Sequence, residues 1–174
     1  GTAVKPNTIR RTLLAACVGA VALLSAACSS TSEQVSDQIA TQAKKQLALS
    51  TEPTVTCPDD AEAKKGEKFE CTIALEKTDV PVDVTFKDDT NFTMKVQGAV
   101  YKKAKIEAGL KTQLETANEG LVVKSVSCPG KALVIIQQDK TIDCTAVDDS
   151  DSTATLKVGL DDNGDAQIQD IVTE

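Results

Sequence analysis

The chain has no histidine and no tryptophan, and only one methionine, one tyrosine and three phenylalanines among 174 residues. Without histidine the commonest general base at neutral pH is missing, and the usual Ser-His and Cys-His nucleophile arrangements go with it. Without tryptophan there is no strong platform for stacking a sugar ring. Arginine occurs only as Arg10 and Arg11, so nearly all of the chain lacks the planar fork that captures carboxylates. Six cysteines are present, yet no two form a Cys-x-x-Cys pair. That spacing counts against a structural zinc site and against thioredoxin-like redox chemistry. Ser125 stands beside Lys124, but neighbours on a strand point to opposite faces. Asp59-Asp60, in a loop near lysines, reads as solvated surface. No catalytic residue, metal ligand or cofactor is expected.

The first segment is an address rather than a fold. Lys5, Arg10 and Arg11 give a positive start, Leu13 to Ala27 is uncharged, and Ser25-Ala26-Ala27 precedes Cys28. Positive start, apolar stretch and small residues before a processing point make a secretory signal over residues 1–27. The alternative, an uncleaved membrane helix, needs about 20 apolar residues, more than this stretch holds. Leu24-Ser25-Ala26-Ala27-Cys28 resembles a bacterial lipoprotein signal, with the leucine one place further back than usual. Leu14-Ala15-Ala16-Cys17 is the closer local match, but cutting there leaves too short an apolar core. The resemblance implies a diacylglyceryl thioether on Cys28, with acyl chains such as palmitate. A free Cys28 after an ordinary secretory cut is the alternative.

Removing residues 1–27 takes away three cations and no acid, leaving 16 Lys against 26 Asp plus Glu, a balance of −10. So acidic a surface repels phosphate backbones, and nucleic acid is not an expected partner. It does not attract anionic headgroups either, which leaves the acyl chains as the membrane anchor. Residues 28–32 read as a tether. Ser29-Ser30-Thr31-Ser32 reaches about 15 Å when extended at ~3.5 Å per residue, holding the first module close to the membrane.

Beyond the tether, the pattern turns to folded modules. Val35, Ile39, Ala43 and Leu47 recur every four residues within Glu33 to Leu49, one apolar stripe on a polar helix. Ser32 is the expected N-cap. Thr54 to Cys57, Phe69 to Leu75 and Val80 to Phe86 read as strands, and Phe92, Met94 and Val96 as a fourth beyond the turn Asp88-Asp89-Thr90-Asn91. The order then repeats. Ile106, Leu110 and Leu114 follow Val35, Ile39 and Ala43 by 71 positions. Val126-Ser127-Cys128-Pro129 repeats Val55-Thr56-Cys57-Pro58, and Cys144 follows Cys71 by 73. Val158 and Leu160 follow Val84 and Phe86 by 74. Drift confined to loops is what duplicated modules show. The boundary is expected near Gly98 to Tyr101, separating modules 33–98 and 99–174, with the second helix running directly out of the fourth strand. Asp162-Asn163-Gly164 reads as a type I′ turn.

Modules of about 70 residues gain only a few kcal/mol from a hydrophobic core, and the second has no aromatic residue after Tyr101. Pairing Cys57 with Cys71, and Cys128 with Cys144, would close loops worth roughly 3 kcal/mol each in an oxidising compartment. Two acidic clusters, Asp148-Asp149-Ser150-Asp151 and Asp161-Asp162-Asn163-Gly164-Asp165, read as hairpin turns, with a weak surface calcium site as the alternative. Leu133-Val134-Ile135-Ile136 is either a partner surface or a buried strand edge.

The Cys-Pro pair, the thirteen-residue gap, Gly66 before Phe69-Glu70-Cys71-Thr72, and Val82-Asp83-Val84-Thr85 resemble a small domain of unknown function. That domain is common in actinobacterial lipoproteins, often in one or two copies behind a lipobox. The second module departs, with Gly130 beside its proline and Asp139-Lys140 in place of the turn glycine. The resemblance implies an envelope address and brings no activity. The expectation is therefore an α+β chain of two tandem modules, each a helix on a small antiparallel sheet of about four strands with one disulfide. The chain would be lipid-anchored on the extracytoplasmic face of the cell membrane, as a non-catalytic binding or adaptor module. An accessory subunit of a membrane-embedded complex, a passive structural lipoprotein and a hydrolase are the other readings.

Overall fold

The computed structural model describes residues 30–173. They form two compact units divided between Gln97 and Gly98.

In the first unit, helix α1 spans Thr31–Leu47, followed by strands β1 (Thr54–Thr56), β2 (Lys68–Leu75), β3 (Thr78–Phe86) and β4 (Phe92–Val96). The strands form one antiparallel sheet in sequence order. Val35, Ile39, Ala43 and Leu47 are buried on α1. On the strands, Cys71, Ile73 and Leu75, then Val80, Val82, Val84 and Phe86, are buried at alternate positions, which puts one whole face of the sheet in the core. The helix begins earlier than the pattern suggests. Ser30 is the N-cap: its hydroxyl accepts from the Glu33 amide while the Glu33 carboxylate accepts from the Ser30 amide. This reciprocal box needs glutamate or glutamine three residues after the cap; Ser30 has Glu33 there, whereas Ser32 has Val35. Ser32, expected at the cap, is buried inside the first turn instead. Ser30 to Ser32 thus belong to the fold rather than to the tether.

The β2–β3 hairpin turns through Glu76 and Lys77 alone, both at positive φ (44° and 71°), between the paired residues Leu75 and Thr78. Two left-handed residues match the twist of the flanking strands, a turn that favours Asn-Gly. Here neither position has that chemistry, so the turn left no mark in the sequence pattern.

The second unit comprises β5 (Gly98–Lys102), α2 (Lys103–Ala117), β6 (Val123–Ser127), β7 (Leu133–Gln137), β8 (Ile142–Asp148), β9 (Thr153–Leu160) and β10 (Ala166–Thr173). Its main sheet, ordered β10-β9-β8-β6, repeats the antiparallel sheet of the first unit, and β5 pairs with β7 in a second, two-stranded sheet. The second helix therefore does not leave the fourth strand directly, because β5 intervenes. Leu133-Val134-Ile135-Ile136 is the core of β7, with Leu133, Val134 and Ile136 buried. The strand-edge reading of this run holds and the partner-surface reading does not. β5 approaches β7 so closely that a Cβ on Gly98, at φ +143°, would lie 2.5 Å from the Ile136 carbonyl oxygen. Only glycine fits there.

Tyr101, the last aromatic residue, is buried, and its hydroxyl accepts from the Ala166 amide at 2.9 Å. The start of β10 is thereby tied to β5. A bulge at Gln169 interrupts the β9–β10 register. Opposite it, a Cβ on Gly159 would fall 2.2 Å from the Gln169 side-chain nitrogen.

The turn Asp162-Asn163-Gly164 is not type I′. The Gly164 amide donates to the Asp161 carbonyl (2.7 Å), the Asp161 amide donates to the Asp165 carbonyl (2.9 Å), and only Gly164 has positive φ. This is a three-residue loop, a right-handed turn closed by one left-handed residue.

Candidate functional site

The two staples lie within the cores. Thr56 pairs with Thr72 and Ser127 with Thr145, so the next residue along brings Cys57 opposite Cys71 and Cys128 opposite Cys144. The Cα separations, 4.3 and 4.2 Å, match the close, non-hydrogen-bonded pairs of an antiparallel ladder, about 4.5 Å apart. Disulfides join both pairs. All four cysteines are buried. Each helix is also latched to its staple. Ser32 donates its hydroxyl to the Cys57 carbonyl at 3.2 Å, and the Glu107 carboxylate accepts from the Cys128 amide at 2.8 Å.

At the far end of the sheets the two copies differ. In the first, Ile73 faces Val80 across the hairpin and Leu75 follows, all buried, as is Leu47 at the end of α1. Two and four residues past the second cysteine, the second copy has Ala146, facing Ala154, and Asp148. Its helix has Asn118 where α1 has Leu47. Four bulky aliphatic side chains have become two alanines, an asparagine and an aspartate. The missing volume is a cleft of 310 Å³, lined by Leu114, Leu121, Val123, Ala146, Ala154 and Leu156. Asn118, Asp148, Ser152, Thr153 and Ile171 stand around it. On its lining, Ile171 is 44 % exposed although it pairs with the core residue Leu156.

The cleft has a fixed frame. Helix α2 stops at Asn118, whose side-chain amide donates to the Leu114 carbonyl at 3.1 Å. The Val123 amide donates to the Glu115 carboxylate (3.0 Å), and the Asp149 amide donates to the Val122 carbonyl (3.1 Å). The Asp148 carboxylate accepts from the Ser150 hydroxyl (2.7 Å) and from the Ser150 and Ser152 amides (2.9 and 2.8 Å). The Ser150 hydroxyl, then the Ser152 amide, hold its pKa below the ordinary carboxylate value. Asp148 is ionised at neutral pH.

Residues 13–91 and 90–164 each match the family model of the domain of unknown function DUF4333. The chain belongs to this family. No curated protein and no solved structure matches it. The two DUF4333 copies share helix, four-stranded sheet and staple, so the cleft is a departure of the second copy from a plan that the first one fills.

Neither acidic cluster of this DUF4333 chain is arranged as a cation cage. Asp148 and Asp161 each start a three-residue loop and spend a carboxylate oxygen on amides within it, Asp161 accepting from Asn163 (2.9 Å) and Asp165 (2.8 Å). Among the described residues, no group of three or more His, Cys, Asp or Glu side chains could hold a metal ion. Cys28 lies outside the described residues. A wider hollow of 730 Å³ lies against the first copy's β2, β3 and β4, among Lys68, Glu70, Asp83 and Lys95. Along it Glu70 faces Asp83, and the Gln97 side-chain amide donates to both carboxylates (3.2 and 2.8 Å). This is open, mixed-charge sheet surface, and the smaller apolar cleft is the better-defined site.

Reading strands for alternation alone could not find the cleft, because alanine keeps the apolar pattern that isoleucine sets. Its signal was the repeat itself: aligning the copies on Cys71 and Cys144 sets Ala146 against Ile73, and the offset of 74 at the last hairpin sets Ala154 against Val80.

Proposed function

We propose that this chain is an exported lipoprotein of the actinobacterial type, acylated on Cys28 after removal of residues 1–27. Its two modules then stand on the extracytoplasmic face of the cell membrane as a non-catalytic binding or adaptor unit. The buried Cys57–Cys71 and Cys128–Cys144 bridges carry this reading, since such bonds form and persist in oxidising compartments. Cys28 directly after Leu24-Ser25-Ala26-Ala27 supports the anchor. The balance of −10 in residues 28–174 leaves the acyl chains, rather than headgroup electrostatics, to supply membrane affinity.

A binding role draws on the cleft of the second module. A role beside a membrane-embedded complex draws on the single residue, Ser29, between Cys28 and the N-cap at Ser30, which keeps the first module near the bilayer. Crosslinking in membranes, followed by purification in mild detergent and intact-mass analysis, tests these points together. The expected result is a diacylglyceryl mass on Cys28, four oxidised cysteines, and a co-purifying membrane protein. An unmodified Cys28 in the soluble fraction overturns the anchor. Acylated protein without a partner turns the adaptor reading into a passive structural one.

A further inference from the structure

We propose that the cleft at the end of α2 binds a single alkyl chain carrying an uncharged head group. The inference deepens the binding role proposed above. The first module shows how this fold closes the same space when nothing is to be held: Ile73, Leu75 and Val80 fill it, and all three are buried. In the second module the corresponding positions open 310 Å³ of apolar space. That is about twice the ~150 Å³ cavity that stays dry and admits benzene, and at the small end of ligand pockets, roughly 300 to 1,000 Å³. A space of this size is enough for one short alkyl chain. The lining near the sheet is wholly aliphatic, with Leu114, Val123, Ala146, Ala154 and Leu156, so water entering it would find few partners.

The rim sets the head group. Asp148 lines the mouth with its carboxylate tied into the β8–β9 loop, and Asp149 lies beside it, hydrogen-bonded to Val122. Lys124 pairs with Asp151 at 2.6 Å, so that cation is already engaged. The field at the mouth is negative and disfavours a carboxylate or phosphate head, an instance of selectivity by repulsion. Asn118, Ser152 and Thr153 give a hydroxyl or amide head polar side chains to meet. Ile171, on the lining and exposed, extends the apolar surface for the part of the chain that emerges.

The test uses the full chain carrying Cys28→Ser, which removes the proposed acylation site, titrated with 1-octanol and separately with octanoate at pH 7. Methyl NMR reads the binding. Octanol is expected to shift the Ala146, Ala154 and Ile171 methyls saturably, and octanoate to bind at least tenfold more weakly. The double variant A146I/A154V copies the first module and is expected to lose the octanol response while keeping the Val80 and Val82 signals. Ile171→Ser, at an exposed position, gives an independent check and is expected to weaken octanol at least threefold. Octanoate binding as tightly as octanol, shifts spread equally over both modules, or an unchanged response in A146I/A154V and I171S overturns the proposal. The outcome is separable from that of the envelope reading, because co-purification of a membrane protein does not depend on the cleft.

Discussion

The Glu107 carboxylate, one turn into α2, accepts the backbone amide of Cys128 at 2.8 Å. Lys103 approaches the same carboxylate at 3.8 Å and donates to the Gly130 carbonyl at 2.9 Å, so the start of the helix grips the Cys-Pro corner on both sides. Replacing Glu107 by alanine leaves a part-buried amide without its acceptor, a loss of about 1–3 kcal/mol. Urea melts of E107A should show that loss in the second module. Glu107→Gln, whose amide oxygen can still accept, should recover most of it.

The turn at Glu76-Lys77 places two ordinary residues at positive φ. Each left-handed residue costs on the order of 1 kcal/mol without glycine or asparagine. The double substitution E76N/K77G supplies the favoured turn chemistry and should stabilise the first module by about 1 kcal/mol. An unchanged or lowered urea midpoint would show that the turn carries no such cost.

Both staples close loops of similar length, with sequence separations of 14 and 16. Loss of either should cost roughly 3 kcal/mol, a large part of the margin of a small module. C57A/C71A and C128A/C144A should therefore each lower the melting temperature, and by comparable amounts. A reductant present during the melt of either variant, able to act once the remaining bridged module opens, should lower that module's melting temperature as well.

Asp88 opens the β3–β4 turn. The Asn91 side chain donates to its carboxylate at 2.8 and 2.9 Å, and the Thr90 amide and hydroxyl do so at 2.9 Å. Together these hold its pKa down at about 2. A carboxylate whose pKa falls on folding contributes stability that is present above its unfolded value and is lost as pH drops towards its folded one. The first module should weaken between about pH 4 and pH 2, and D88N should flatten that part of the curve. Chemical denaturation across this range, with the wild type alongside, checks the sign.

Much of this architecture was legible because its signals are periodic. The four-residue stripe from Val35 to Leu47 marked a helix, and the alternation from Phe69 to Leu75 marked a strand buried on one face. The repeat of Val-x-Cys-Pro marked the duplication. What escaped depends on contacts between distant residues or on local backbone choices. Strand β5 looked like a boundary, because its pairing with β7 is settled by a glycine that lets two backbones meet. The cap fell at Ser30 rather than Ser32, since the box needs Glu33 at the third position. The cleft was hidden because shrinking a side chain leaves polarity unchanged, and only volume records the difference.

Cys71 and Cys144 have no exposed surface, and their partners Cys57 and Cys128 keep only 8 % and 4 %. Thiol–disulfide exchange requires direct attack on sulfur, so a reducing agent must wait until the module opens. The lifetime of each bond is then governed by the opening of its own domain, and a chain keeps the bridges it once closed for as long as it stays folded.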